Sequence, residues 1–185
     1  MPFIFSTVLS TAQTRDTGAI PMWKLYGDDF RGVLIKFDGP ELKKYAQNNS
    51  INGIRFEECR YLNITERGKL ITKLNKLPIS NNPNFLKDLL RISCLVKHSL
   101  WSYENEFRII KFATLKDSKF KSTPRGITQY IELTLPVSCI TAIMLGPNCP
   151  SSPTIQSLEA MKEKINLHHP GKASFKIIKS KLQIR

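Results

Sequence analysis

Nothing in this sequence approaches the ~20 consecutive apolar residues that a membrane-spanning helix requires. The opening, Met1-Pro2-Phe3-Ile4-Phe5-Ser6, also lacks the basic start and long apolar core of a secretory signal. No membrane association is therefore expected, and the location expected is cytoplasmic. Cysteines are sparse: Cys59, Cys94, Cys139 and Cys149 form no CxxC pair and have no histidine pattern beside them. That spacing argues against a metal site and against a disulfide framework, leaving buried free thiols. The three histidines, His98, His168 and His169, are too scattered for a metal triad. A phosphate-binding glycine loop, GxGxxG, GxSxG and HExxH are all missing, as are internal repeats and low-complexity segments.

Acidic residues are in short supply. Asp and Glu number 15 against 28 Lys and Arg, a formal net charge of +13. Such a balance favours polyanionic partners, either nucleic acid or an acidic protein, or a phosphate-bearing small molecule. The basic residues are spread along the chain, so a solvated surface is the plain alternative. Their densest group is Lys172, Lys176, Lys179, Lys181 and Arg185.

What is present reads as one α+β domain over 1–185, with a mixed, mostly antiparallel sheet and interspersed helices. At 185 residues and 41% hydrophobic content there is ample material for one core. Strands are expected over Phe3–Leu9, Gly32–Phe37, Ile54–Leu62, Tyr103–Phe112, Gln129–Leu135, Cys139–Leu145 and Phe175–Ile184. The Cys139–Leu145 run is nearly all apolar and should be central. Pro21 to Gly27 reads as a short helix, proline opening it and glycine closing it. A further helix covers Glu41–Gln47. Thr65 is the expected cap of a helix carrying Leu70, Ile71, Leu74 and Leu77. Pro78 to Pro83 breaks that helix, and the next carries Phe85, Leu86, Leu89, Leu90, Ile92 and Val96. Residues 113–126 are expected to be a basic loop, and the last helix starts at Ser152-Pro153. The strands and helices do not repeat a regular βαβ unit, which excludes a doubly wound sheet.

The densest chemistry lies in Lys97–Phe112, KHSLWSYENEFRIIKF. On a strand, Glu104, Glu106 and Arg108 share a face. Burial would couple the two carboxylates into a site, whereas Arg108 could neutralise one of them as a structural ion pair; both readings stand. Trp23 and Tyr26, three apart on a helix, are either core or a wall for a planar ligand ring. Trp101 and Tyr103 carry the same alternatives.

Met22-Trp23-x-x-Tyr26, then Gly32-Val33-x-Ile35-x-Phe37, then Lys97-x-x-x-Trp101-x-Tyr103-Glu104-x-Glu106-x-Arg108-Ile109 resembles an uncharacterised bacterial family, domain of unknown function 2971 (DUF2971). Ser10 and the strand ending at Gly146 fit the same pattern, so the resemblance runs from about Val8 to Gly146. Members of that family usually carry a further segment before the first strand, so the resemblance implies an N-terminally shortened member. Leu25 stands where the family often has histidine.

The layout is also similar to that of ADP-ribosyltransferases, in which a Glu-x-Glu strand carries the catalytic glutamate. That similarity implies an α+β enzyme with NAD as substrate, acting as a transferase or a glycohydrolase. Glu106 would support an oxocarbenium-like transition state and Glu104 would orient the acceptor. Ser10, Trp23, Tyr26, Trp101, Tyr103 and Arg108 would surround the cofactor. The first-strand arginine or histidine that binds NAD in those enzymes has no counterpart ahead of Phe3. The alternative expectation is a non-enzymatic basic module that binds nucleic acid or an acidic protein, or a degenerate, inactive member of the family.

Overall fold

The structure is a computed structural model, which describes residues 1–76, 83–124, 126–171 and 173–183. In chain order the elements are β1 (Pro2–Val8), α1 (Ile20–Tyr26), β2 (Val33–Phe37), α2 (Gly39–Asn48), β3 (Ile54–Glu58), β4 (Arg60–Leu62), α3 (Ile64–Asn75) and α4 (Pro83–Leu95). They continue with β5 (Val96–His98), β6 (Glu106–Phe112), β7 (Lys119–Thr123), β8 (Gly126–Tyr130), β9 (Ile140–Leu145), α5 (Ser151–His168) and β10 (Lys176–Lys179). The class is α+β, and the pairing is mostly antiparallel, divided among several small sheets.

The chain folds into two compact units. One holds Met1–Leu9 and Ala46–Leu133, the other Ser10–Tyr45 and Thr134–Arg185.

In the first unit β6 is the central strand of β1-β6-β3, antiparallel to both neighbours. Its apolar side chains drive this placement: Ile109 and Ile110 are almost fully buried, and Ile110 packs with Cys94, Leu95 and Phe112. Phe56 of β3 and Phe107 of β6 add a tilted ring pair at 5.4 Å. Beside this sheet, β4 pairs in parallel with β5, and β7 with β8 forms an antiparallel hairpin.

In the second unit β9 is central in β10-β9-β2, as its apolar run requires. Ile143 packs with Ala173 and Phe175, which are ringed by Val137, Ile140, Leu158, Ile165 and Ile177. Trp23 of α1 is only 2% exposed, and its indole N–H donates to the Thr17 carbonyl at 2.8 Å. The Ser180 hydroxyl donates to the same carbonyl at 2.6 Å. Gly18 makes this packing possible, because its φ is +71° and a Cβ there would lie 2.4 Å from the Trp23 Nε1.

Several boundaries differ from expectation for identifiable reasons. The strand expected from Ile54 to Leu62 divides at Cys59, and β4 leaves the first sheet to pair with β5. Helix α3 is capped by Asn63 rather than Thr65: Asn63 and Glu66 exchange reciprocal side-chain-to-backbone bonds at 2.9 and 2.8 Å, a capping box one turn long. The basic stretch over 113–126 contains a strand, β7, and its partner β8 ends at Tyr130, so Ile131 to Leu135 is not strand. β10 covers only Lys176–Lys179 of the strand expected from Phe175. Leu77, the helix break over residues 78–82, and Arg125, Lys172, Ile184 and Arg185 lie outside the described residues. Among the described residues no helix is long and apolar enough to cross a membrane.

Candidate functional site

Glu104 and Glu106 are both buried, each 3% exposed, but they reach that position by different routes. The strand expected from Tyr103 begins only at Glu106. Before it, Ser99–Glu104 forms a 3-10 helix, started by the His98 ring, which accepts from the Leu100 N–H at 3.2 Å. Asn105 then takes the left-handed conformation, φ 46°, and turns the chain into β6. Asparagine tolerates that region better than most residues. The turn leaves the carboxyl of Glu104 at the tip of the 3-10 helix and that of Glu106 at the first strand position, and both close on one ammonium.

That ammonium belongs to Lys97 of β5. It donates to Glu106 Oε2 at 2.9 Å and also to Glu104 Oε2. Arg108, two residues along β6 and on the same face, grips Glu106 with two N–H donors: Nε to Oε1 at 2.8 Å and Nη2 to Oε2 at 3.2 Å. Its remaining nitrogen, Nη1, donates to the Cys94 carbonyl at the end of α4. Ser6 of β1, directly opposite Arg108 in the ladder, adds a side-chain hydrogen bond to Glu106. Tyr61 lies opposite Lys97 in the β4–β5 pair, and its hydroxyl accepts from the Glu106 backbone N–H at 2.7 Å. The result is a neutral set of two carboxylates and two cations, largely removed from water.

The electrostatics follow from that geometry. Burial alone would raise the Glu106 carboxyl, but the hydrogen bonds from Arg108, Ser6 and Lys97 outweigh it and hold the group at about 2. Burial opposes the charge on Lys97 too, and the bonds to Glu104 and Glu106 override it, so its ammonium sits above the ordinary lysine range. The neighbouring Cys59 thiol is pushed up to about 11, chiefly by burial, which makes it a poor nucleophile. Glu57, opposite Arg108 on β3, is paired with Arg91 of α4 at 2.5 Å.

The other expected site residues are placed as follows. Trp101 and Tyr103 lie on the 3-10 helix, 43% and 47% exposed, their rings 5.9 Å apart and tilted. The Lys97 ammonium stands 5.7 Å from the Trp101 ring. Both aromatics thus edge the ion cluster. Ser10, Trp23 and Tyr26 belong to the second unit. Ser10 is exposed, Tyr26 is 71% exposed, and Trp23 is enclosed as described.

Three contributors were not singled out as site residues from the sequence: Lys97, Tyr61 and Ser6. Lys97 carried a signal, since two adjacent buried carboxylates need more than one cation. Tyr61 and Ser6 carried none, because strand register alone brings them in. Among the described residues no group of three or more His, Cys, Asp or Glu side chains is arranged to hold a metal ion.

An α+β chain with a neutral ion cluster at the head of its central strand is the class of protein this geometry defines. Residues 22–109 match the family model described as a protein of unknown function (DUF2971), which supports assignment of the chain to that family. The matched segment runs from the Met22-Trp23 block to the Arg108-Ile109 block, narrower than the span from Val8 to Gly146. No curated protein and no solved structure matches the chain.

Proposed function

We propose that this chain is a non-enzymatic binding module for nucleic acid, in which Glu104 and Glu106 serve the fold. One observation carries the reading: the carboxylate that chemistry would need is already committed. Glu106 is 3% exposed and engaged by Arg108, Lys97 and Ser6. The excess charge of +13, by contrast, rests on a surface where many lysines are exposed. A surface of that kind attracts phosphate backbones by releasing condensed counterions.

Cleavage of NAD would ask Glu106 to lend an oxygen to a ribose hydroxyl, and an oxygen held by several donors lends poorly. The same reading asks Trp23 to stack on the cofactor, whereas its ring is packed against Gly18 and Gly27. An acidic protein partner would use the same positive surface, and competition separates it from nucleic acid.

The test is retention of a labelled mixed-sequence duplex by the purified chain at increasing salt, with NAD incubated in parallel. Binding that weakens steeply and linearly on a log–log salt plot is expected, with NAD unchanged. Absent or salt-insensitive binding, or NAD consumption abolished by Glu106→Gln, would overturn the proposal.

A further inference from the structure

Helix α3 is barely packed. Of its 12 residues none is buried, and only Leu70 and Leu74 are half-buried. Those two are one turn apart and mark the side on which the helix rests. Lys69, Lys73 and Lys76 fall at i, i+4 and i+7, a row about 110° round the helix from the leucines, and all three are exposed.

Two facts leave this face open to a polyanion. The helix's single acid, Glu66, is spent on the capping box with Asn63. Among the described residues, no salt bridge involves Lys69, Lys73 or Lys76. Some surface cations elsewhere have found partners: Lys24 with Asp29, Lys119 with Glu132 at 2.8 Å, and Lys181 with Asp16 at 3.1 Å.

The face also limits what can sit on it. It carries no aromatic ring, so unpaired bases have no platform on which to stack. The exposed apolar residues of the helix, Ile64 and Ile71, are too few for the broad apolar stripe with which a helix enters a lipid surface. From Lys69 to Lys76 the helix rises about 10 Å, which matches about three base-pair steps of a duplex backbone.

We infer that the lysine face of α3, Lys69, Lys73 and Lys76, seats double-stranded nucleic acid by its phosphates without reading base sequence. The inference rests on the nucleic-acid reading above and supplies its docking surface.

The experiment is fluorescence anisotropy of a labelled mixed-sequence duplex with the full chain over a range of salt. The variants are the triple Lys69→Gln, Lys73→Gln, Lys76→Gln and the control pair Lys119→Gln, Lys121→Gln. Glutamine keeps helix propensity, and circular dichroism with thermal melting checks that each variant folds. The triple variant should bind at least tenfold more weakly at low salt. Its salt slope should fall by about three, one for each lost phosphate contact. The control pair should change affinity less than threefold.

Failure of the wild type to bind any duplex overturns the nucleic-acid reading itself. Wild-type binding with an unaffected, folded triple variant overturns the assignment to α3 alone. Tighter binding to a single strand of equal length, or to anionic vesicles with no duplex binding, overturns the choice of duplex. A triple variant that has lost its helix is replaced by the single changes, whose losses should each reduce the slope by about one.

Discussion

Both carboxyl oxygens of Glu106 are engaged, by Arg108 and Lys97. Its unfolded counterpart titrates near 4.5, whereas the folded group is held at about 2. The folded state therefore gains stability that is full above pH 4.5 and is lost as pH falls towards 2. Replacing one member of a buried ion set leaves the others uncompensated, and Glu106→Gln should cost about 3–5 kcal/mol in urea unfolding at pH 7. The gap between wild type and Glu106→Gln should close as pH falls from about 4.5 to about 2, because protonation removes the same charge. A gap that stays constant over that interval would mean the carboxylate is not what the cluster uses. Lys97 has the opposite sign. Its raised titration contributes stability that is full below the ordinary lysine value of 10.5 and is lost only as pH rises above it.

At the scale of elements, the turn at Asn105 joins the 3-10 helix to β6 and sets where both carboxylates fall. Asn105→Gly should leave stability within about 0.5 kcal/mol, since glycine enters the left-handed region freely. Asn105→Val should cost about 1–2 kcal/mol in urea unfolding, because a branched Cβ is penalised there. Equal effects of the two would show that φ is not the constraint.

The elements also show what the sequence could convey. Apolar runs and terminators located β2, β6, β9, α4 and α5, because burial selects those patterns directly. β5 was hidden in the tail of a helical pattern, and β7 read as loop because its alternate residues are lysines, which reveal no buried face. The start of β6 was misplaced by three residues: aromatics raise strand propensity, and nothing in Trp101 or Tyr103 signals a 3-10 turn. For the candidate site, spacing did place Glu104, Glu106 and Arg108 together. It did not reveal Lys97, Tyr61 or Ser6, whose approach depends on which strands become neighbours. Trp23 shows the converse, an aromatic at an inviting spacing whose ring is filled in by Gly18 and Gly27.

For the whole molecule, charge is divided by role. Acids are few, and several are used internally: Glu104 and Glu106 in the ion cluster, Glu66 and Asp117 in caps, Glu57 on Arg91. That use leaves the surface with the excess of lysine and arginine behind the net +13. The most direct measurement is the duplex affinity of Glu106→Gln, taken at a temperature where the variant is folded and over the same salt range as wild type. If the acids serve the fold and the exposed cations serve binding, affinity and salt slope should match wild type within about twofold despite the lowered stability. A folded Glu106→Gln that loses duplex binding, or a wild type that binds none, would contradict that division.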